Sequence, residues 1–181
     1  YMNLKIKPIF LFLISFSLFS QEFRYFDGDE ERVIYLLPEY SALLDSGSNN
    51  TRSALKNIQP IFSRGNLSIF KSIDINSNSF LKSAPGNNSV LQVFSENKNL
   101  NKYIIPSGNI IIQFDSTMKN SEEANSWAIE NGFKIIKHLF AKYYLIESLP
   151  GTTAIEVANR IRTMNQIISA TPDFIKPFTI R

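Results

Sequence analysis

The stretch between residues 103 and 178 constrains this chain most, because two helical stripes there are each flanked by short apolar runs. Residues 109–114 (NIIIQF) read as a strand with both faces mainly apolar. Asn120-Ser121-Glu122-Glu123 opens a helix: Asn120 is a good cap, Glu123 lies three residues on, and acids favour the first turn. Ala124, Trp127 and Ala128 then share one helical face, and Gly132 is placed to end the helix in a left-handed conformation. Strands follow at 133–140 and 143–148, separated by Ala141-Lys142. Pro150-Gly151-Thr152-Thr153 turns the chain into a second helix, for which a threonine cap is expected. Ala154, Val157, Ala158, Ile161 and Met164 form its apolar stripe. A fourth strand is expected at 166–170, stopped by Thr171-Pro172-Asp173, with 174–178 adding an edge or an extended tail.

Strand, helix, strand, strand, helix, strand is the order of a ferredoxin-like βαββαβ sandwich, so the fold class is α+β. Both helices should pack on one face of the antiparallel sheet. Ile110 and Ile112, Ile111, Tyr143 and Leu145, and Tyr144 and Ile146 nevertheless place apolar groups on both faces. A sheet with one wet face should alternate apolar with polar. The second apolar face needs a cover, either the N-terminal region or another protein.

Residues 22–102 form a small β-rich region with a polar join. Short β-like runs lie at 23–26, 32–37, 42–44 and 67–73, and Asp27-Gly28 between the first two is a hairpin signal. Residues 45–52 (DSGSNNTR) are loop chemistry, and 53–58 give a helical turn or two. The join spans 76–89, followed by a short strand at 90–94 and a polar patch at 97–102.

Residues 2–20 (MNLKIKPIFLFLISFSLFS) have a basic start, an apolar run too short to span a bilayer comfortably, and a small-residue exit. This is the layout of a secretory signal peptide over 1–20, with cleavage after Ser20 or Ser17, and it implies a secreted or extracytoplasmic protein. Membrane contact is then expected only through that segment during export. Tyr1 ahead of Met2 reads as a fragment or a mis-set start, with Met2 the true start, and the chain ends as abruptly at Ile180-Arg181.

With 44% apolar and 19% charged residues in 181, the rest suits one or two folded domains. Cysteine is absent, which removes disulfides, thiolate metal sites and a cysteine nucleophile. His138 is the single histidine, so no multi-histidine metal site exists. The formal charge is +3, of which Lys5 and Lys7 supply two from the leader. No basic stripe marks a nucleic-acid binder.

The run from 108 to 178 resembles the N-terminal prodomain of secreted subtilisin-family serine proteases, especially the fervidolysin-like type. The matching residues are GNIIIQFD at 108–115, the helix around Trp127 ending in Asn131-Gly132, YYLIESLPG at 143–151 and AIEVANRIRTMNQIISATPDFIKP at 154–177. Ala170-Thr171-Pro172-Asp173 stands where such prodomains close. The resemblance implies a pro-region that assists folding of a subtilisin-like catalytic domain in cis and inhibits it until cleaved. That catalytic domain would lie beyond a linker starting at 179–181, making the chain a truncated precursor with no catalytic residue of its own. The sheet would dock through Tyr143 and Leu145, or through the alternate set Tyr144 and Ile146. Lys176, Pro177, Phe178, Thr179, Ile180 and Arg181 would form the tail that lies in the protease cleft. A stand-alone secreted protein of the same fold, inhibiting a protease in trans or mediating contacts, is the alternative. Many relatives carry an acid near the middle turn, where this chain has Ala141-Lys142.

Other chemistry finds little support. His138 with Asp115 and a serine would make a triad, but no nucleophile-elbow pattern accompanies it, so a plain structural histidine is expected. Tyr143, Tyr144 and Phe140 could stack bases, yet the signature of RNA-recognition domains is missing. No Gly-rich phosphate loop is present, and no cofactor or metal is implied. The acceptor triplets at 49–51, 66–68 and 87–89 read as chance matches in an Asn/Ser-rich chain.

Overall fold

In a computed structural model, residues 21–44, 58–72, 90–97 and 102–176 are described. The leader, the 45–52 loop, most of the 53–58 turn, the 76–89 join and residues 177–181 lie outside them. The chain is a mixed α/β protein dominated by antiparallel strands. In order the elements are β1 (Glu22–Asp27), β2 (Glu30–Leu44), β3 (Phe62–Arg64), β4 (Leu67–Lys71), β5 (Val90–Ser95) and β6 (Tyr103–Phe114). Then come α1 (Ser121–Glu130), β7 (Ile135–Phe140), β8 (Tyr143–Glu147), α2 (Thr152–Arg162) and β9 (Ile167–Ile175).

β6 organises the molecule. One edge pairs first with β5 (Phe94↔Ile104, Ser95↔Tyr103) and then with β8 (Asn109↔Glu147 to Gln113↔Tyr143). The other edge carries β9, and β7 flanks β8, giving the order β9-β6-β8-β7 for the C-terminal strands. α1 and α2 pack on one face of these four. Their Ala124, Trp127, Ala128, Ala158 and Ile161 meet Ile110, Ile112, Phe114, Tyr144, Ile146 and Ala170 in one core. Burial of large apolar side chains at about 1.5–3 kcal/mol each makes this the main stabilising mass. Beyond β5 the sheet continues through β2, β4 and β3. A second cluster joins Tyr25, Ile34 and Phe94 to Ile104 and Ile155, so strand pairing and shared core both link residues 22–102 to the C-terminal unit.

Local sequence explains α1. Asn120 Oδ1 accepts from the Glu123 amide (2.9 Å), and Glu123 Oε2 accepts from the Lys119 amide (2.8 Å). Gly132 follows at φ +76°, as its place after the helix requires. α2 departs from expectation: its cap is Gly151, without a side-chain cap bond. The Thr152 amide is satisfied by Gln92 Oε1 of β5 instead (2.8 Å). Gly151 sits at φ +79°, and a Cβ there would collide with that same Gln92 carboxamide. Gly151→Ala should therefore cost about 2 kcal/mol, since a left-handed alanine is strained and the Gln92 bond is displaced; urea unfolding at equilibrium measures it.

Two prolines lie inside strands that the sequence pattern would have ended. β2 runs unbroken through Pro38, where pairing with β5 jumps from Leu36↔Phe94 to Ser41↔Gln92. The bulge absorbs a residue that has no N–H to give. β9 continues through Thr171-Pro172-Asp173 to Ile175, because it pairs with β6 alone and an edge strand tolerates proline. Opposite Asp173, β6 bulges at Ser107 to Asn109, and Ser107 Oγ donates to Asp173 Oδ2 (2.8 Å). The first strand of this unit starts at Tyr103 rather than Asn109, and the second at Ile135 rather than Phe133.

The β1–β2 hairpin is held against α2 and β9. Arg162 donates to the Gly28 carbonyl and to Asp29 Oδ1, and its guanidinium lies over the Phe26 ring at 4.2 Å. Arg162→Ala is expected to destabilise the chain by about 1–2 kcal/mol. Hydrogen exchange should then accelerate in β1 and leave β7 and β8 unchanged.

Candidate docking face

The face of the β9-β6-β8-β7 sheet turned away from the helices is built by strict alternation. Because Ile110, Ile112, Tyr144 and Ile146 point into the helix-side core, Ile111, Gln113, Tyr143 and Leu145 point the other way. Pairing lines these up in two rows across the strands. One row runs Thr171, Ile111, Leu145, Lys137; the other runs Ser169, Gln113, Tyr143, Phe140. In the second, Ser169 Oγ donates to Gln113 Oε1 (3.3 Å) and the Phe140 and Tyr143 rings stack at 4.6 Å. Phe140 is 62% exposed, unusual for so large an apolar group. Ile111, Tyr143 and Leu145 are half-buried and belong to none of the apolar clusters among the described residues.

Of the two alternating sets expected as docking candidates, Tyr143 with Leu145 or Tyr144 with Ile146, the second faces the helices. Tyr144 (4% exposed) and Ile146 (0%) lie beneath the helices. The Tyr144 hydroxyl shares a hydrogen bond with Ser121 Oγ of α1 (3.1 Å), and its ring meets Phe114 at 5.5 Å. They are core residues, and only Tyr143 and Leu145 are presented outward. The same burial removes Tyr144 from any base-stacking trio with Tyr143 and Phe140. Neither did the N-terminal strands become the cover for the second face: they extend the sheet edge-on through β5, and no described element packs over Tyr143 and Leu145.

The β7–β8 turn carries Ala141 in a left-handed conformation (φ +46°). His138 Nε2 donates to the Ala141 carbonyl (2.8 Å), and its ring stacks on Tyr144 at 4.6 Å. Lys142 reaches across to the Asp115 carbonyl (2.7 Å), so the turn carries a tethered cation rather than an acid. Asp115 accepts from the Thr117 hydroxyl and amide, and these bonds hold its carboxyl below the usual range. His138 and Asp115 are thus each engaged elsewhere and share no hydrogen bond. Of the candidate tail, Lys176 is described and pairs with Glu96 (3.0 Å), while Pro177, Phe178, Thr179, Ile180 and Arg181 lie outside the described residues.

Sequence reasoning named Phe140 only as a stacking candidate and did not place Gln113, Lys137, Ser169 and Thr171 on this face. The register of four strands is needed to align them, and no local signal carries it. No family model, no curated protein and no solved structure matches the chain.

Proposed function

We propose that the chain is the pro-region of a subtilisin-like serine protease, exported behind a signal peptide, and that residues 103–178 are its ferredoxin-like βαββαβ sandwich. The observation that carries the reading is the asymmetry of the β9-β6-β8-β7 sheet. One face is sealed by α1 and α2, while the other holds an apolar centre of Ile111, Tyr143, Leu145 and Phe140 with no described element over it. The strand order and the two helices on a common side support the sandwich. Docking of the open face on the catalytic domain would template its folding. The segment from Lys176 onward leaves the same sheet through β9, and would run into the substrate cleft as an extended, product-like strand.

The test is to refold a subtilisin-type catalytic domain with and without the chain added in trans, then assay hydrolysis of a chromogenic peptide. Faster recovery of native protease together with inhibition of the recovered enzyme is the expected result. A chain shortened after Lys176 should still bind but inhibit at least about tenfold less, since the cleft contacts are gone. Absence of any effect on refolding and of any inhibition would remove the pro-region reading.

A further inference from the structure

The β1–β2 hairpin has two outer edges, and among the described residues the β2 edge carries no partner strand alongside Glu31 to Val33. The Leu36 amide donates to the Gln21 carbonyl (2.9 Å). With the register Glu22↔Tyr35 to Asp27↔Glu30, the mutually bonded pairs are then Phe23 with Ile34 and Tyr25 with Arg32. Residues between such pairs turn their N–H and C=O outward. On β1 these are Arg24 and Phe26, and both carbonyls are filled: Asn159 Nδ2 donates to the first and Thr171 Oγ1 to the second, each at 2.8 Å. On β2 they are Val33 and Glu31. β5 would be their partner, but its pairing with β2 ends at Ser95↔Tyr35, and Glu96 and Asn97 leave the ladder. Two amides and two carbonyls of β2 are left without a partner strand among the described residues.

This edge borders a cavity of about 590 Å³, whose walls include Tyr25, Asp27, Glu96 and Lys102. A volume of that order is typical of a ligand-binding cleft. Tyr25 is only 4% exposed, and its hydroxyl has no hydrogen-bond partner among the described residues. Burial raises the phenol above its ordinary pKa, with Asp27 and Glu96 adding to the shift and Arg32 opposing it. Most charges around the cavity are already matched: Arg32 with Glu30, Glu31 with Arg24, and Lys176 with Glu96. Asp27 and Lys102 have no ion partner among the described residues.

We infer that this notch is a second binding site, which takes an extended peptide of a partner protein as an added strand on β2. The peptide backbone pairs with Val33 and Glu31. A basic side chain meets the Tyr25 oxygen and the Asp27 carboxylate, and an acidic one meets Lys102. Main-chain groups in a line call for a strand, and two opposite unpaired charges in one cavity call for side chains of both signs on one of its faces. A strand with Lys and Glu two residues apart supplies both. The site is separate from the Tyr143–Leu145 face and does not depend on what that face binds.

The probe is the blocked pentapeptide Ac-Val-Lys-Val-Glu-Val-NH2, with its fully N-methylated twin as control, and the readout is amide hydrogen exchange on the full chain. In the free protein the Glu31 and Val33 amides should exchange at least about tenfold faster than those of Arg32 and Ile34, which are bonded to β1. Saturating peptide should slow Glu31 and Val33 by about tenfold or more, the twin should leave them unchanged, and Tyr25→Phe should weaken binding about fivefold to tenfold. Protection of Glu31 and Val33 in the free chain equal to that of Arg32 and Ile34 would overturn the proposal, because the edge would already be filled by the chain itself or a second copy. Equal effects of peptide and twin, or no slowing at millimolar peptide, would overturn it as well.

Discussion

Replacing Tyr143 and Leu145 together by aspartate is expected to weaken binding to a subtilisin-type catalytic domain by at least about 100-fold. An aromatic or aliphatic anchor at the centre of a protein interface is worth about 2 kcal/mol or more when truncated, and each 1.4 kcal/mol is tenfold in affinity. Burying two new carboxylates against a partner adds an unpaired-charge cost to the lost contact. The free chain should suffer far less, because both side chains stand outside the apolar clusters and Lys137 is the cross-strand neighbour of Leu145. Titration calorimetry alongside a thermal melt separates the two effects. Tyr144→Phe is the matched control: its hydroxyl bonds Ser121 on the opposite face, so affinity should stay as in the parent. Unchanged affinity of the double aspartate variant would place the interface elsewhere.

Phe114→Ala should destabilise the chain by about 3–5 kcal/mol, the largest loss expected of any single truncation here. Phe114 is fully buried and closes β6 under both helices. Its ring meets Trp127 at 5.1 Å and Tyr144 at 5.5 Å, edge to face in both cases. Alanine leaves a cavity between a strand and a helix whose backbones cannot close on it, and aromatic pairs of this kind add about 0.5–1.5 kcal/mol beyond area. Urea denaturation followed by Trp127 fluorescence reads the loss directly. A change under about 1 kcal/mol would mean that β6 and α1 do not share this core.

What the sequence reveals here depends on how far away the deciding partner lies. α1 was legible because Asn120, Glu123 and Gly132 act within one turn of the residues they serve. The cap of α2 was not, because the group that satisfies Thr152 is Gln92, 60 residues earlier. Thr171-Pro172-Asp173 looked like a stop since proline cannot donate to a ladder; the strand continues because its partner lies on one side only. The candidate docking face was half legible. Tyr143 with Leu145 and Tyr144 with Ile146 are nearly identical in size and hydropathy, so composition cannot rank them. Helix packing on one side breaks the tie, and that is a property of the assembled sheet. The edge at Glu31 and Val33, without a partner strand among the described residues, had no sequence signal, as it arises from where β5 stops pairing.

The three side chains that hold the β1–β2 hairpin have a kinetic meaning as well. Asn159, Arg162 and Thr171 lie 134 to 145 residues beyond the carbonyls they serve. Closing loops of that span is slow relative to forming a hairpin. A chain that emerges from the ribosome or through a membrane amino end first therefore makes β1 and β2 early but cannot finish seating them until α2 and β9 arrive. The first strands to be made are the last to be secured, so β1 and β2 stay incompletely seated for most of the time the chain takes to emerge.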